Sequence, residues 1–282
     1  MFKKVMVAVD HSGPSLELFK AIDDLKKMGL VELVIIHAVR LEASGMGVGA
    51  HRKKFLAKIE EYKKTMEESG LKVKVLQPVG SPAEEIRRAS EEEDVDLILI
   101  GSIGEGSRFR ELFLGSTVAN VIRVTKKPVL IEKYRKEGKK TVRIELFPKD
   151  KTSTVVIASD FSSSSLHIFD LFLENDLGFK KVILLNIVDE GYTKEQVDSN
   201  KKAAEEKLKP WKDEFIEKGY EVEAIVDVGI PSEMISSIAK EKEAGLVAIS
   251  RRGRGVINEL IIGSTADPVV RRCCVPVLLL KR

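Results

Sequence analysis

The sequence has few of the features that mark secreted, membrane-spanning or metal-stapled proteins. Its 282 residues include only two cysteines, Cys273 and Cys274, which are adjacent. Neighbouring cysteines rarely form a disulfide and supply too few ligands for a metal, so we expect a reducing environment and a packing role for the pair. Residues 1–5 run into a strand-like segment without the apolar core of a signal peptide, and no apolar run approaches transmembrane length. We therefore expect a cytoplasmic protein without membrane insertion.

The sequence also lacks an excess of charge of either sign. Lysine and arginine total 47 and aspartate and glutamate 44, which gives a net charge of +3. Proteins that bind nucleic acid usually carry a clustered basic excess, so we expect no nucleic-acid partner. With 43% apolar, 32% charged and only 6% aromatic residues, the composition is that of an ordinary globular protein. At this length two domains are expected, each large enough to bury its own core.

A search for repeats indicates that the chain contains one domain twice. Asp10, at the end of an apolar run, is repeated by Asp160 at an offset of 150, and the run that begins at Val129 is repeated at Val277 at an offset of 148. A period this long indicates a domain duplication rather than a solenoid. A glycine-rich stretch is also duplicated, as Gly101, Gly104, Gly115, Ser116 and Thr117 and then as Ser250, Gly253, Gly263, Ser264 and Thr265.

Each copy alternates short apolar runs with amphipathic helical patterns. Uniformly apolar runs favour a parallel sheet covered on both faces, so the sequence predicts two tandem, doubly wound α/β domains with five strands each. The helical patterns of copy one start near Pro14, cover about residues 51–69, and follow Ser81-Pro82 and Gly115-Ser116. The apolar runs lie near residues 3–9, 31–39, 72–77, 96–101 and 128–132 in copy one, and near 154–159, 180–188, 221–227, 246–250 and 276–280 in copy two.

Residues with useful chemistry follow the apolar runs where ligands bind in such sheets. Ligands lie beyond the carboxyl ends of the strands, and Asp10, Val39 and Gly101 all fall at such ends. Glycines let backbone N–H groups approach an anion and a helix N-terminus supplies further donors, so the duplicated stretch predicts a phosphate cradle. A purely structural interpretation stays open. In it the glycines form tight turns, the serines of the Gly-Ser-Thr segments cap helices, and the two repeated aspartates cap the first helices.

The segment between the copies, residues 134–151, carries two different patterns. Residues 135–140 are polar and predicted to be exposed, whereas residues 141–147 alternate polar and apolar side chains. This alternation predicts an added edge strand or an arm laid over a neighbouring domain. We therefore place domain one at residues 1–133, a linker at 134–151 and domain two at 152–282.

Taken together, these features resemble the universal stress protein family. The shared features are an Asp after the first strand, a Gly-x-x-Gly after the fourth, a Gly-Ser/Thr about nine residues later and a closing Pro-Val-Leu strand. The resemblance covers nearly the whole chain, as a tandem protein with two such domains. It implies the strand order 3-2-1-4-5, an internal pseudo-dimer in which residues 129–133 pair with residues 277–281, and, in one subgroup, ATP at the switch point of the sheet.

The family's nucleotide contacts carry over to positions in both copies. For adenosine the resemblance implies a carboxylate at Asp10 or Asp160 and main-chain contacts at Val39 or Val188. Any Mg²⁺ would be held mainly by phosphate oxygens, with help from Ser116 or Ser264. For the phosphates the resemblance implies Gly101, Gly104, Gly115, Ser116 and Thr117 in copy one, and Ser250, Arg252, Gly253, Gly263, Ser264 and Thr265 in copy two.

Copy one departs from the family pattern in the loop of its phosphate cradle. Ten residues instead of nine separate Gly104 from Gly115, and Ile103 stands where a basic or imidazole residue is common. Glu105 adds a negative charge beside the expected phosphates. These changes predict a weaker site for a polyphosphate, because the loop is longer, carries Glu105 beside the phosphates and has no basic residue at position 103.

Copy two departs from the pattern at one position. It keeps nine residues between Gly253 and Gly263 but has Ser250 in place of the first glycine. A Cβ at this position would crowd a phosphate, although a serine hydroxyl also donates hydrogen bonds. Arg251, Arg252 and Arg254 suit a polyphosphate. We therefore expect two unequal sites and favour copy two.

The sequence shows no catalytic machinery. It has no Walker-type lysine, no kinase-like metal-binding carboxylates and no positioned base, and its four histidines lack metal-ligand spacing. The resemblance implies a stress-response or regulatory protein that binds an adenine nucleotide (ATP, ADP or AMP), which changes its contacts with an unidentified protein partner. Two alternatives stay open. One is an ATP-dependent enzyme, either a slow hydrolase or a phosphotransferase, and the other is a structural dimerisation module that binds no nucleotide.

Overall fold

The computed structural model describes residues 2–10, 12–39, 48–103, 114–138, 140–148, 151–189, 191, 193–253 and 262–281. The chain divides into two compact units, Met1–Arg143 and Ile144–Arg282, which we call the N-terminal and C-terminal domains. Each domain is described by itself. Within the described ranges, no helix is both long enough and apolar enough to cross a membrane.

A parallel five-stranded sheet forms the core of the N-terminal domain. Its strand order is β3-β2-β1-β4-β5, which confirms the order implied by the family resemblance. Val5 and Val7 of β1 and Leu99 of β4 are completely buried, because helices cover both faces of the sheet. The strands are β1 (Lys4–Ala8), β2 (Glu32–Ile36), β3 (Lys72–Leu76), β4 (Leu97–Gly101) and β5 (Val129–Glu132).

The helices of the N-terminal domain occur where the amphipathic patterns predicted them. The first crossover, predicted as one helix, is interrupted by a 3₁₀ turn at Leu18–Ala21. Pro82 opens the third crossover helix, where its missing N–H has no intrahelical partner to lose. The α-helices are α1 (Gly13–Glu17), α2 (Ile22–Lys27), α3 (Val48–Glu68), α4 (Pro82–Glu92) and α5 (Ser116–Val124).

An antiparallel hairpin follows β5, made of β6 (Tyr134–Glu137) and β7 (Lys140–Arg143). It forms its own two-stranded sheet, so the predicted added edge strand on the main sheet is wrong. Residues 135–138 and Lys140 of the polar linker sequence are exposed as predicted, but residues 135–137 belong to β6 and Lys140 begins β7. The alternating segment instead continues past β7 into the C-terminal domain, where Phe147 is buried with its ring centroid 4.8 Å from that of Phe179.

The C-terminal domain repeats the same topology, with strand order β10-β9-β8-β11-β12. Its predicted strands are confirmed as β8 (Thr154–Ala158), β9 (Lys181–Val188), β10 (Glu221–Val228), β11 (Leu246–Ser250) and β12 (Val277–Leu280). Its helices are α6 (Ser163–Glu174), α7 (Lys194–Glu217), α8 (Pro231–Glu241) and α9 (Ala266–Arg272). Cys273 is buried and Cys274 is exposed.

The strand register shows which residues of the two domains are equivalent. Lys4 of β1 lies opposite Glu32 of β2, and Thr154 of β8 lies opposite Lys181 of β9. The pairings of β4 with β1 and of β11 with β8 extend this correspondence across the sheet. Counting along these strands, the counterparts of Asp10, His37 and Gly101 are Asp160, Asn186 and Ser250.

The long helices α3 and α7 correspond in the same way. Each is followed by a glycine in the left-handed region, Gly70 at φ 92° and Gly219 at φ 91°. A side chain is disfavoured at such a φ, so these glycines fix the point where each helix ends. Residues 55 and 204 both stand 15 positions before their glycine, which makes Ala204 the counterpart of Phe55.

Candidate functional site

A cleft opens at the carboxyl ends of β8, β9 and β11 in the C-terminal domain. This is the switch point of the sheet, where β8 leads away to β9 on one side while β11 lies on the other. Arg252 of the predicted set is not among the residues that line it. The predicted residues that do line the cleft are Asp160, Val188, Ser250, Gly253, Gly263, Ser264 and Thr265.

Asp160 is held in the cleft by the start of α6. Its Oδ1 accepts hydrogen bonds from the Ser162 amide at 3.0 Å, the Ser162 hydroxyl at 2.5 Å and the Ser165 hydroxyl at 2.8 Å. Ser162 itself is the N-cap of α6, so the interpretation of Asp160 as the cap is wrong. The other oxygen, Oδ2, lies against Gly253 and would collide with any Cβ there. A side chain at position 253 would therefore force the Asp160 carboxylate or the turn after β11 to shift.

Gly263 and Ser250 are both hydrogen-bonded to main-chain carbonyls of the turn after β11. The Gly263 amide donates to the Arg251 carbonyl at 2.9 Å, and a Cβ on Gly263 would lie 3.2 Å from that oxygen. The Ser250 hydroxyl donates to the Arg252 carbonyl at 2.7 Å. Both groups therefore stabilise the turn after β11, and the Ser250 hydroxyl is engaged there rather than pointing its proton toward a phosphate.

The cation on the cleft wall is one that the sequence did not indicate. Arg251 is only 3% exposed and does not line the cleft, and Arg254 falls outside the described residues. Lys207 of α7 does line it, with its Nζ 5.4 Å from the ring centroid of Phe161. Phe161 has a left-handed φ of 59°, which is unusual for a bulky side chain and sets the ring beside the cleft.

Helix α7 forms one wall of the cleft, which was not predicted from the sequence. Asn200, Ala203, Ala204 and Lys207 line the cleft, at the i, i+3, i+4 and i+7 spacing of one helical face. The spacing can be recognised in the sequence, but the sequence does not show which face of the helix packs against the sheet. Asn186 was also missed, and its side-chain amide donates to the Ser159 carbonyl at 2.8 Å.

The purely structural interpretation expected the serines of the two Gly-Ser-Thr segments to cap the helices that follow, and they do not. The N-cap of α5 is Gly115 and the N-cap of α9 is Thr265, so neither Ser116 nor Ser264 caps a helix. Both serines are exposed, and Thr117 is half-buried. Ser264 is thus an exposed residue of the cleft lining that does not cap α9.

In the N-terminal domain the fold brings the predicted residues to the equivalent sheet edge. The Asp10 Oδ1 accepts from the amide and hydroxyl of Ser12, the N-cap of α1, and the Gly115 amide donates to the Ser102 carbonyl at 3.0 Å. Val39 is bridged to Val79, and its carbonyl accepts from the Gly80 amide at 2.9 Å. The predictions for Gly104 and Glu105 fall outside the described residues.

Tyr134 of the hairpin covers the end of β4 in this domain. Its hydroxyl lies 2.5 Å, and its Cζ 3.3 Å, from the position of a Cβ on Gly101. The hydroxyl is buried and has no hydrogen-bond partner among the described residues. Burial, together with the charges of Glu132 and Asp10, raises the pKa of Tyr134 well above its ordinary value. The absence of a side chain at Gly101 therefore leaves room for Tyr134.

A buried ion cluster fixes the hairpin next to Tyr134. Arg143 of β7 donates from Nη2 to Asp24 at 2.6 Å, and its Nη1 lies 3.4 Å from each carboxylate oxygen of Glu132. Glu132 is completely buried. Burial raises the pKa of Glu132 to about 7, although the positive charge of Arg143 opposes the rise.

Phe55 and His37 occupy the positions of Ala204 and Asn186. The Phe55 ring meets the His37 ring edge-on, with centroids 5.0 Å apart, and both residues are buried. The Nδ1 of His37 lies 3.1 Å from the Val9 carbonyl. In the described ranges, no group of three or more His, Cys, Asp or Glu residues could hold a metal ion.

Comparison with known proteins identifies the family. The Universal stress protein family model matches residues 1–133 and again residues 151–281, which together make up most of the chain. The chain belongs to the universal stress protein family. The predicted tandem of two universal stress protein domains is therefore confirmed.

Individual relatives match either about half of this tandem universal stress protein or its whole length. Universal stress protein MJ0577 of Methanocaldococcus jannaschii is 30% identical over 158 residues, 48% of this chain and 97% of that protein. Universal stress protein YxiE of Bacillus subtilis is 32% identical over 147 residues, 46% of this chain and 99% of that protein. A crystal structure of a universal stress protein from Archaeoglobus fulgidus covers 100% of both chains with a TM-score of 0.72 and 26% identity.

Proposed function

We propose that this protein binds an adenine nucleotide (ATP, ADP or AMP) in the cleft of its C-terminal domain, and that it acts as a regulatory protein whose partner contacts depend on the nucleotide. The observation that carries the proposal is the convergence of Asp160, Gly253 and Ser264 on one open cleft at the switch point of the sheet. Doubly wound sheets bind their ligands at this point.

The chemistry of the cleft suits a nucleotide. A carboxylate accepts hydrogen bonds, so Asp160 suits the hydroxyl groups of a ribose. Lys207 supplies a positive charge on the same cleft, and the exposed Ser264 hydroxyl lies at the start of α9. These groups suit phosphate oxygens, and Mg²⁺ would be bound by those oxygens together with the Ser264 hydroxyl.

Isothermal titration calorimetry on the full chain, freed of co-purified nucleotide, tests the proposal. Asp160→Asn keeps an Oδ1 acceptor for Ser162 and Ser165 but removes the carboxylate charge and one acceptor facing the cleft. We expect this variant to bind ATP at least about tenfold more weakly, which corresponds to the loss of about 1.4 kcal/mol.

The matched control is Asp10→Asn, the same change in the N-terminal domain, which should leave the affinity unchanged. Thermal unfolding of both variants checks that they fold. Undiminished ATP binding by a folded Asp160→Asn protein would refute the proposed site. Measurement of released phosphate in the same samples would show whether the bound ATP turns over.

A further inference from the structure

We propose that the N-terminal domain closes its own equivalent cleft with Phe55 and Tyr134, so that the chain holds one nucleotide, and that the residue at the Phe55/Ala204 position decides which domain binds. This inference rests on the proposed function. It concerns the number of sites and the side chains that select the domain; the sequence favoured copy two but did not indicate these side chains.

The first step is the exchange of a small side chain for a ring. In the C-terminal domain, Ala204 and Asn186 both line the cleft. In the N-terminal domain the corresponding residues are Phe55 and His37, and their rings are in edge-on contact at 5.0 Å. Phe55 therefore projects a phenyl ring toward the place where Ala204 leaves the cleft open, and it is itself only 5% exposed.

The second step is the cover over the end of β4. Ser250, the last residue of β11, lines the open cleft of the C-terminal domain. Its counterpart Gly101 is covered by the Tyr134 ring, whose Cε2 and Cζ lie 3.3 Å from the position of a Cβ. The two aromatic rings thus cover two positions, one on the helix side and one on the strand side, that are open in the other domain.

The third step is that both rings are held in place. The hairpin that carries Tyr134 is anchored by the buried contact of Arg143 with Asp24 at 2.6 Å. Helix α3, which carries Phe55, is anchored by Tyr62, whose ring stacks on Phe19 at 4.2 Å. A ligand would have to displace packed core residues to enter, because close-packed interiors have little spare volume.

Reciprocal variants test this inference by calorimetric stoichiometry with ATP and Mg²⁺. The wild type should bind one ATP per chain, unaffected by Asp10→Asn. Ala204→Phe should weaken binding at least tenfold, since it adds the ring that closes the other domain. The double variant Phe55→Ala with Tyr134→Ala should gain a second site, and Tyr134→Phe, which removes only the hydroxyl, should not.

The outcomes separate this inference from the proposed function. Two ATP molecules per wild-type chain, one of them lost in Asp10→Asn, would overturn the inference and leave nucleotide binding intact. No binding by the wild type would overturn both. Unchanged affinity in a folded Ala204→Phe protein would also overturn the inference. This variant leaves the core of the N-terminal domain untouched, so it tests the inference even if the double variant loses stability.

Discussion

Replacing Glu132 by glutamine should change how the stability of the N-terminal domain depends on pH. Glu132 is completely buried, and burial raises its pKa from 4.5 to about 7, more than the attraction of Arg143 lowers it. A carboxyl group whose pKa is higher in the folded chain keeps its proton there after the unfolded chain has lost it. Glu132 therefore reduces stability as pH rises from about 4.5 to about 7, and the loss is complete above that range.

The size of the effect follows from the pKa values. A change from 4.5 to about 7 corresponds to about 3 kcal/mol, at about 1.4 kcal/mol for each pKa unit. Glutamine keeps the shape of the side chain but does not titrate. The free energy of unfolding of Glu132→Gln, minus that of the wild type, should therefore increase by about 3 kcal/mol between pH 4.5 and pH 7.5.

Urea unfolding at several pH values, followed by circular dichroism, measures this difference. The single tryptophan, Trp211, lies on α7 of the C-terminal domain, so its fluorescence follows the unfolding of that domain separately from the circular dichroism of the whole chain. Every other titrating group is common to both proteins and cancels in the difference.

Glu93→Gln is a control of opposite sign. The hydrogen bond from Lys74 lowers the pKa of Glu93, so its contribution is present above pH 4.5 and is lost only as pH falls below that value. Its difference from the wild type should be flat between pH 5 and pH 8. A flat difference for Glu132→Gln over the same range would refute the reasoning, since it would mean that Arg143 keeps Glu132 ionised.

Two further predictions concern the C-terminal domain and use Trp211 fluorescence as the assay. Ser250→Ala removes the donor to the Arg252 carbonyl, so it should lower the free energy of unfolding by about 1 kcal/mol; an unchanged midpoint in urea would contradict the assigned hydrogen bond. Gly245→Ala places a Cβ against the Leu146 carbonyl oxygen, so it should cost roughly 1 to 3 kcal/mol. A neutral effect would show that residues 144–147 pack elsewhere.

Much of the fold was predictable because its signals are local. The central strands β1, β4, β8 and β11 are short apolar runs, and the helices α4 and α8 begin at recognisable residues, Pro82 and Pro231. The hairpin was not predicted, since its alternation of polar and apolar residues fits any half-buried strand and does not name the partner strand. The pairing of the two domains through their last strands stays a prediction, as do bound Mg²⁺ and ATP turnover.

Some contacts are shared by the two domains although the residues are not. Lys74 of β3 pairs with Glu93 at 2.5 Å, and at the equivalent place Glu223 of β10 pairs with Lys242 at 2.5 Å. The charges are reversed but the ion pair is kept. Aligning the two copies by residue type alone would count these positions as mismatches, because the shared property is the pair and not either residue.

The sequence by itself determined that a doubly wound domain occurs twice and that glycines and an aspartate end its central strands, because these facts depend on residues close together in the chain. Only the tertiary structure decided what surrounds those strand ends. Lys207 and Ala204 line the open cleft of one domain, whereas in the other Phe55 contacts His37 and Tyr134 covers Gly101. These residues lie far along the chain from the strand ends, and only the packing of helices and hairpin on the sheet places them there.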